Sequence, residues 1–441
     1  MNQNNDTQWT TGRIDRAAVR LFLLCFLSYT FCYIGRHNFS ACLPAMIADG
    51  TLTKPFGGYI TTAYMIVYGS GQLVSGILGT KIRPQTMIGC GLLGAGVMNV
   101  VMGLCRDPVP MLLVWSLNGL FQSMLWAPII RVFTDQLPEE RRYRAGVDIA
   151  VTCPAGTVLA YLIPALFLKI ADWRVVFFVS GGCVLLACGI WVVGNFSLKE
   201  YLALMDERCR QARAALAADA GSDKSPAGQT TLFSVILPSG LLLVMLCLIC
   251  NGSLRDAVSS WAPTFFSEQF GMAPEKSAVL SVVIPVVSVS GAYVATWLDR
   301  RFLHNELFTS GAMFLTAAVC ILGIRLFSER SPLLCAVCLA VSISSMWGAN
   351  TMFLTMLPYH FAGLGLSASV TGLLNCCIYF ASAASTSLYG LASERAGWTA
   401  LTLIWLAVSL AGIVFCVVFG FIWARKAKLL DENRLMKPTR D

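Results

Sequence analysis

The strongest constraint on this chain is a series of apolar runs, each long enough to cross a lipid bilayer. They fall at about 18–46, 57–80, 86–105, 109–132, 145–170, 173–195, 236–265, 276–298, 308–327, 332–357, 366–391 and 398–424. A hydrocarbon core about 30 Å thick takes roughly 20 residues of helix, and inside it only helices and closed barrels satisfy their own backbone hydrogen bonds. Charged residues make up only 13% of the chain and hydrophobic ones 56%, against roughly 25% charged in a soluble domain. The expected fold is an all-α integral membrane protein of twelve transmembrane helices. The first run is too long for a signal-peptide core and has no small-residue cleavage site after it, so it is read as retained.

Lysine and arginine fix the expected orientation, because cytoplasmic loops hold the excess. With both termini inside, 21 of the 32 basic residues lie on the cytoplasmic side and eight on the other, while Arg36, Arg131 and Arg255 fall within spans. The +8 net charge is thus a topology signal and gives a nucleic-acid partner little support. One long connector, with the turn-forming stretch Gly221-Ser222-Asp223-Lys224-Ser225-Pro226, divides the chain. The expected organisation is a six-helix half over 1–195, a cytoplasmic linker over 196–231, a second six-helix half over 232–424 and a basic cytoplasmic tail over 425–441. The expected location is the plasma (inner) membrane, and the expected state is a monomer.

The halves repeat in register. Arg36 precedes Pro44 by eight residues, as Arg255 precedes Pro263; Lys81 follows Arg36 by 45, as Arg300 follows Arg255. Parallel repeats of this kind are an architecture of secondary carriers, whose substrate site lies at the repeat interface near mid-membrane. Each half therefore carries one arginine in its first helix. An arginine cannot be neutralised at accessible pH, and burying it costs at least about 2.5–3.5 kcal/mol on the lenient insertion scale. Pairing with a carboxylate is the bland explanation, and Asp256 is the obvious candidate. Sequence neighbours point about 100° apart on an α-helix, however, so Asp256 is expected not to cover Arg255; Arg36 has no acid near it in sequence. Anion binding is the favoured reading. Two unpaired guanidiniums converging from opposite halves suit a doubly charged anion that accepts forked hydrogen bonds, a phosphate monoester above all.

Other signals are weaker. His37 is a titratable donor beside Arg36 or a membrane histidine bonded to a backbone carbonyl. Asn251 and Ser259 share the face of Arg255 at i−4 and i+4. Tyr68, Gln72, Gln122, Trp126, Asn350 and Asn375 line a cavity or join helices. Asp148 is read as pairing with Arg144. The pairs Cys247/Cys250 and Cys335/Cys338 lie in apolar helix in a chain with three histidines, and Gly89-x-Gly91-x-x-Gly94 follows no strand, so helix packing explains them better than a metal or dinucleotide. No metal or other cofactor is expected. With no span carrying a plausible nucleophile, base or metal cluster, an enzyme is not expected either.

Tyr33 to Asn38, Leu120 to Pro128, Pro138-Glu139-Glu140-Arg141-Arg142, and Arg255 with Trp261-Ala262-Pro263 resemble the organophosphate:phosphate antiporters of the major facilitator superfamily, such as the glycerol-3-phosphate and hexose-6-phosphate transporters. The resemblance runs over nearly the whole chain. It implies that Arg36 and Arg255 hold a phosphate, that the family's helix 2 tyrosine falls on Tyr68, and that its helix 4 glutamine and tryptophan fall on Gln122 and Trp126. Tyr33, His37 and Asn251 complete the expected substrate site. The chain departs from the pattern at His37, where a basic residue is usual, at Gln72 in place of a lysine, at Thr152-Cys153-Pro154-Ala155-Gly156, which has no histidine, and at Gly79-Thr80-Lys81, which lacks an acid. The expected function is alternating-access exchange of an organic phosphate for inorganic phosphate. Proton-coupled uptake of a sugar acid or phosphonate through Asp148, Asp256 or His37, and a transporter-like sensor of a phosphate ester, are the alternatives.

Overall fold

The computed structural model describes residues 11–78, 82–219, 239–327, 330–364 and 367–431. Lys81 of the repeat, Gly79 and Thr80, the linker from residue 220 to 231 and the tail beyond 431 lie outside them. The helices run in the order α1 (Thr11–Ala48), α2 (Lys54–Leu78), α3 (Pro84–Leu104), α4 (Pro108–Ser123), α5 (Trp126–Gln136), α6 (Glu139–Asp148), α7 (Thr152–Phe167), α8 (Trp173–Ser197) and α9 (Lys199–Asp219). After the connector come α10 (Leu241–Gly252), α11 (Val258–Gln269), α12 (Pro274–Ser281), α13 (Val283–Leu298), α14 (Glu306–Phe327), α15 (Pro332–Thr351) and α16 (Ser367–Asp431). No strand occurs among the described residues.

Among the described residues, nine stretches are long and apolar enough to cross a membrane, fewer than the twelve runs of the sequence. One of the three missing runs is that of α2, and the other two have local causes. The stretch Val370–Ala427 is two helices joined at Gly397, whose φ of 76° and ψ of 174° break the helical path. The apolar helix Thr152–Phe167 is short because Ile149–Val151 tightens to a 3-10 turn, next to Pro154, whose ring clashes with the carbonyl four residues before it. Pro128 acts in the same way on Met124, and the single run 109–132 is accordingly two helices, α4 and α5. Large apolar side chains such as Leu104, Val193, Phe196, Val319 and Phe421 lie well exposed on the outside, as a lipid-facing surface requires.

Packing repeats between a first group of helices, α1 to α9, and a second, α10 to α16. Gly156 of α7 sits against Thr30 and Tyr33 of α1, and Gly252 of α10 against Ile378 of α16; Gly119 of α4 sits against Tyr64 of α2, and Gly348 of α15 against Gly291 of α13. Small residues let helix backbones approach where no hydrophobic force acts between helices. The glycines of the dinucleotide-like pattern serve the same end, with Gly91 and Gly94 of α3 lying on Phe121 and Leu125. At the end of the bundle remote from the described termini, the two groups are tied together. Lys54 pairs with Glu268 at 2.6 Å, Trp398 donates to the same carboxylate at 2.9 Å, and Thr62 donates to the Ala383 carbonyl at 2.6 Å. At the near end α5 packs on α1, α2, α3, α6 and α9, all within its own group.

A Cβ at Gly291 would collide with the Ser344 carbonyl oxygen, whereas one at Gly182 meets nothing within 4 Å. Gly291→Ala is expected to cost about 1–3 kcal/mol through overpacking, read as a lowered thermal unfolding midpoint in detergent, with Gly182→Ala unchanged.

Candidate functional site

Arg36 lies in the middle of α1, and it is held there from behind. Asn99 of α3 and Asn118 and Gln122 of α4 each donate to the carbonyl oxygen of Gly35 at 3.0 Å. Asn38 adds a 2.8 Å bond to Asn99, and Tyr64 donates to Gln122 at 2.9 Å. Three donors crowd an oxygen with two lone pairs, so helix 1 is fixed in both height and rotation at the residue before the arginine. Gly35 also permits the approach, since a Cβ there would stand 2.8 Å from the Asn99 amide nitrogen.

The guanidinium itself is caged by phenol rings. Its carbon is 4.3 Å from the ring centre of Tyr68, 5.6 Å from those of Tyr33 and Tyr64, and 5.9 Å from that of Tyr379. Arg36 has no ion pair or side-chain hydrogen bond among the described residues. A desolvated cation–π contact is worth about 2 kcal/mol; only Tyr68 is close, so the rings offset part of the cost of burial and leave the charge uncompensated. Tyr68 accepts a bond from Gln72 at 2.7 Å, and Asn375 of the second group donates to Gln72 at 3.0 Å. A polar chain therefore leads from the second group to the cage.

Arg255 is arranged differently, and here an expectation from the sequence is overturned. Asp256 does cover it: Arg255 Nε and Nη2 donate to the two carboxylate oxygens at 2.8 and 2.6 Å. Residues Ser253–Ala257 form a π turn, whose i→i+5 bonding replaces the 3.6-residue spacing on which the 100° argument rested. A fork of two charge-assisted bonds is also the strongest neutralisation a buried guanidinium can find. The remaining arm, Nη1, donates to Asn350, the ring of Trp347 lies 4.7 Å from the guanidinium carbon, and Ser382 donates to Asp256 at 3.1 Å. Among the described residues, the picture of two unpaired cations at these positions is therefore corrected to an unpaired Arg36 and an internal ion pair at Arg255.

The other residues expected at the site divide into two sets. Tyr33, Tyr68 and His37 gather around Arg36, His37 stacking on Tyr33 with ring centres 5.7 Å apart. Trp126 lies one ring further out, 5.3 Å from Tyr29, which in turn meets Tyr33 at 5.2 Å. Gln122 is buried in the amide cluster behind Arg36. Asn251 is fully buried and donates to the Met346 carbonyl at 2.9 Å, joining α10 to α15. Asp148 lies 3.8 Å from Arg144 at an exposed position. Residues missed in the sequence are Tyr64, Tyr379, Trp347, Asn99 and Asn118. Tyr64 stands four residues before Tyr68, one helical turn away, and the two asparagines are amides in otherwise apolar runs, which are signals of helix-to-helix bonding.

With this geometry established, the family can be stated. The model of the Major Facilitator Superfamily matches residues 25–386, and the chain belongs to that superfamily of multi-pass membrane transporters. A probable hexose phosphate transport protein of Chlamydia muridarum is 24% identical over 435 residues, covering 90% of both chains. The glycerol-3-phosphate transporter of Bacillus subtilis is 21% identical over 91% of both, and the membrane sensor protein UhpC of Salmonella typhimurium is 26% identical over 65% of both. Such relatives agree with the organophosphate:phosphate antiporter resemblance carried by the arginine motifs. The crystal structure of a D-xylose-proton symporter superposes with a TM-score of 0.72 at 11% identity, over 93% of this chain and 98% of that one, and shares the fold.

Replacing Asn99 by Leu strands the Asn38 amide and is expected to cost about 1–3 kcal/mol. Asn118→Leu leaves two donors on Gly35 and is expected to cost about 0.6 kcal/mol. Thermal unfolding of the purified variants tests that order.

Proposed function

We propose that this transporter carries a small organic anion by alternating access, exchanging an organic phosphate for inorganic phosphate, with Arg36 as its principal anion-binding group. The observation that supports this most is the Arg36 guanidinium itself, half-buried in a cage of phenols with no acid paired to it among the described residues. A fixed cation in an apolar bundle stabilises whatever anion reaches it far more than it would in water, and the hydroxyls of Tyr33, Tyr68 and Tyr379 can supply further donors to a multi-oxygen anion, that of Tyr64 being given to Gln122. The relatives named for hexose phosphate and glycerol-3-phosphate transport favour a phosphate ester among such anions. Arg255 supplies the second contact from the opposite group once the ligand competes with Asp256 for its fork. An empty site leaves Arg36 uncompensated, so reorientation without an anion is slow and exchange is favoured over uniport.

In this reading residues 1–195 and 232–424 are the two six-helix halves, joined by the linker 196–231 and followed by the basic tail 425–441. Together they make twelve crossings of the plasma membrane with both termini cytoplasmic, and the chain works as a monomer. The remote end tied by Lys54, Glu268 and Trp398 then faces outward, and the site is entered from the cytoplasm.

Liposomes loaded with inorganic phosphate test the exchange directly. Labelled phosphate or phosphate-ester entry is expected to rise with internal phosphate; no stimulation would sink the exchange reading, entry driven instead by a pH gradient without counter-substrate would favour proton coupling, and binding without flux would favour a sensor. Arg36→Lys keeps the charge and loses the fork, so uptake at subsaturating substrate is expected to fall at least about tenfold, equivalent to about 1.4 kcal/mol; uptake equal to wild type would refute the forked contact.

A further inference from the structure

From the charges built into the site we infer that Asp256 is a specificity-determining residue: by holding Arg255 in a closed fork, it matches the carrier to an anion bearing one net negative charge. The inference rests on the phosphate-ester reading above and deepens it. Arg36 contributes one free positive charge, while Arg255 and Asp256, joined by bonds of 2.8 and 2.6 Å, contribute none between them. In a low-dielectric interior an unmatched charge is expensive, so the empty site, at one net positive charge, is neutralised by a monoanion and overshot by a dianion. The pair is built rather than incidental. Ser382 bonds the carboxylate, Asn350 bonds the guanidinium, and Arg255 is only 4% exposed.

The surroundings of the carboxylate are accounted for from each element packed on it. From α1, Arg36 and His37 lie within electrostatic reach of Asp256; from α7 comes Cys153, and from α16 Ser382. Arg255 on its own turn and Asn350 of α15, on the far side of Arg255, complete the set. None adds a second carboxylate, so the balance of one net charge is set by Arg36, Arg255 and Asp256, with His37 the group able to change it on protonation.

A phosphate monoester loses its second proton near pH 6, so one molecule can be offered in both charge states. The test is equilibrium binding of methyl phosphate to the purified full chain at pH 5.5 and 8.0, with sulfate as a dianion at both. Wild type is expected to bind methyl phosphate at least about tenfold more tightly at pH 5.5, following its singly charged form, and to bind sulfate weakly throughout. Asp256→Asn, close to isosteric and leaving Arg255 free, is expected to reverse the methyl phosphate preference and to tighten sulfate binding. The double variant Arg255→Gln with Asp256→Asn restores one net charge and is expected to return to the wild-type preference, which separates charge balance from loss of folding. The same set in a His37→Gln background is expected to behave alike; loss of the wild-type preference there would move the effect to the imidazole and overturn the proposal. So would an Asp256→Asn profile identical to wild type. Failure of wild type to bind methyl phosphate at either pH would instead overturn the phosphate-ester reading, and this inference with it.

Discussion

An arginine that cannot lose its charge, fixed inside an apolar bundle with no carboxylate paired to it among the described residues, is the constraint around which this molecule is arranged. Each neighbour of Arg36 answers one consequence of it. The amides of Asn99, Asn118 and Gln122 on the Gly35 carbonyl keep the helix from turning the guanidinium toward lipid. The ring of Tyr68 at 4.3 Å softens desolvation without adding negative charge. Tyr379 and the bond from Asn375 to Gln72 bring the second group of helices to the same place, so that a change at the cation is felt by both.

The second arginine shows that repetition in sequence does not mean equivalence in chemistry. Arg36 and Arg255 occupy matching places in a duplicated chain, yet one is caged by aromatic rings and the other is closed by an acid. Ion pairs inside a membrane need near-ideal geometry to offset desolvation, and the two-bond fork between Arg255 and Asp256 meets that need. The asymmetry leaves a standing positive charge at Arg36 beside an internally neutral pair at Arg255 and Asp256.

Much of the architecture was legible in the sequence because the bilayer enforces it. Apolar runs, the eight-residue spacing from each arginine to its proline, and the singular position of Arg36 follow from rules that act along one helix. What was not legible depends on departures from the regular helix. Pro128 splits an apparently single run, Pro154 accompanies a 3-10 turn, and at the π turn Ser253–Ala257 Asp256 pairs with Arg255 against expectation. Tyr64 and Tyr379 were hidden for another reason, since membership of the cage is set by which helices meet, and a tyrosine in an apolar run carries no mark of that.

The account turns on where the anion sits. Anomalous diffraction from the protein soaked with perrhenate, an electron-dense and singly charged tetrahedral oxyanion, locates it without reference to transport. The account predicts a peak within hydrogen-bonding distance of the Arg36 guanidinium, between the rings of Tyr33, Tyr64, Tyr68 and Tyr379. An interior peak away from Arg36, or an Arg36 paired with a carboxylate and no anion at the cage, would contradict it.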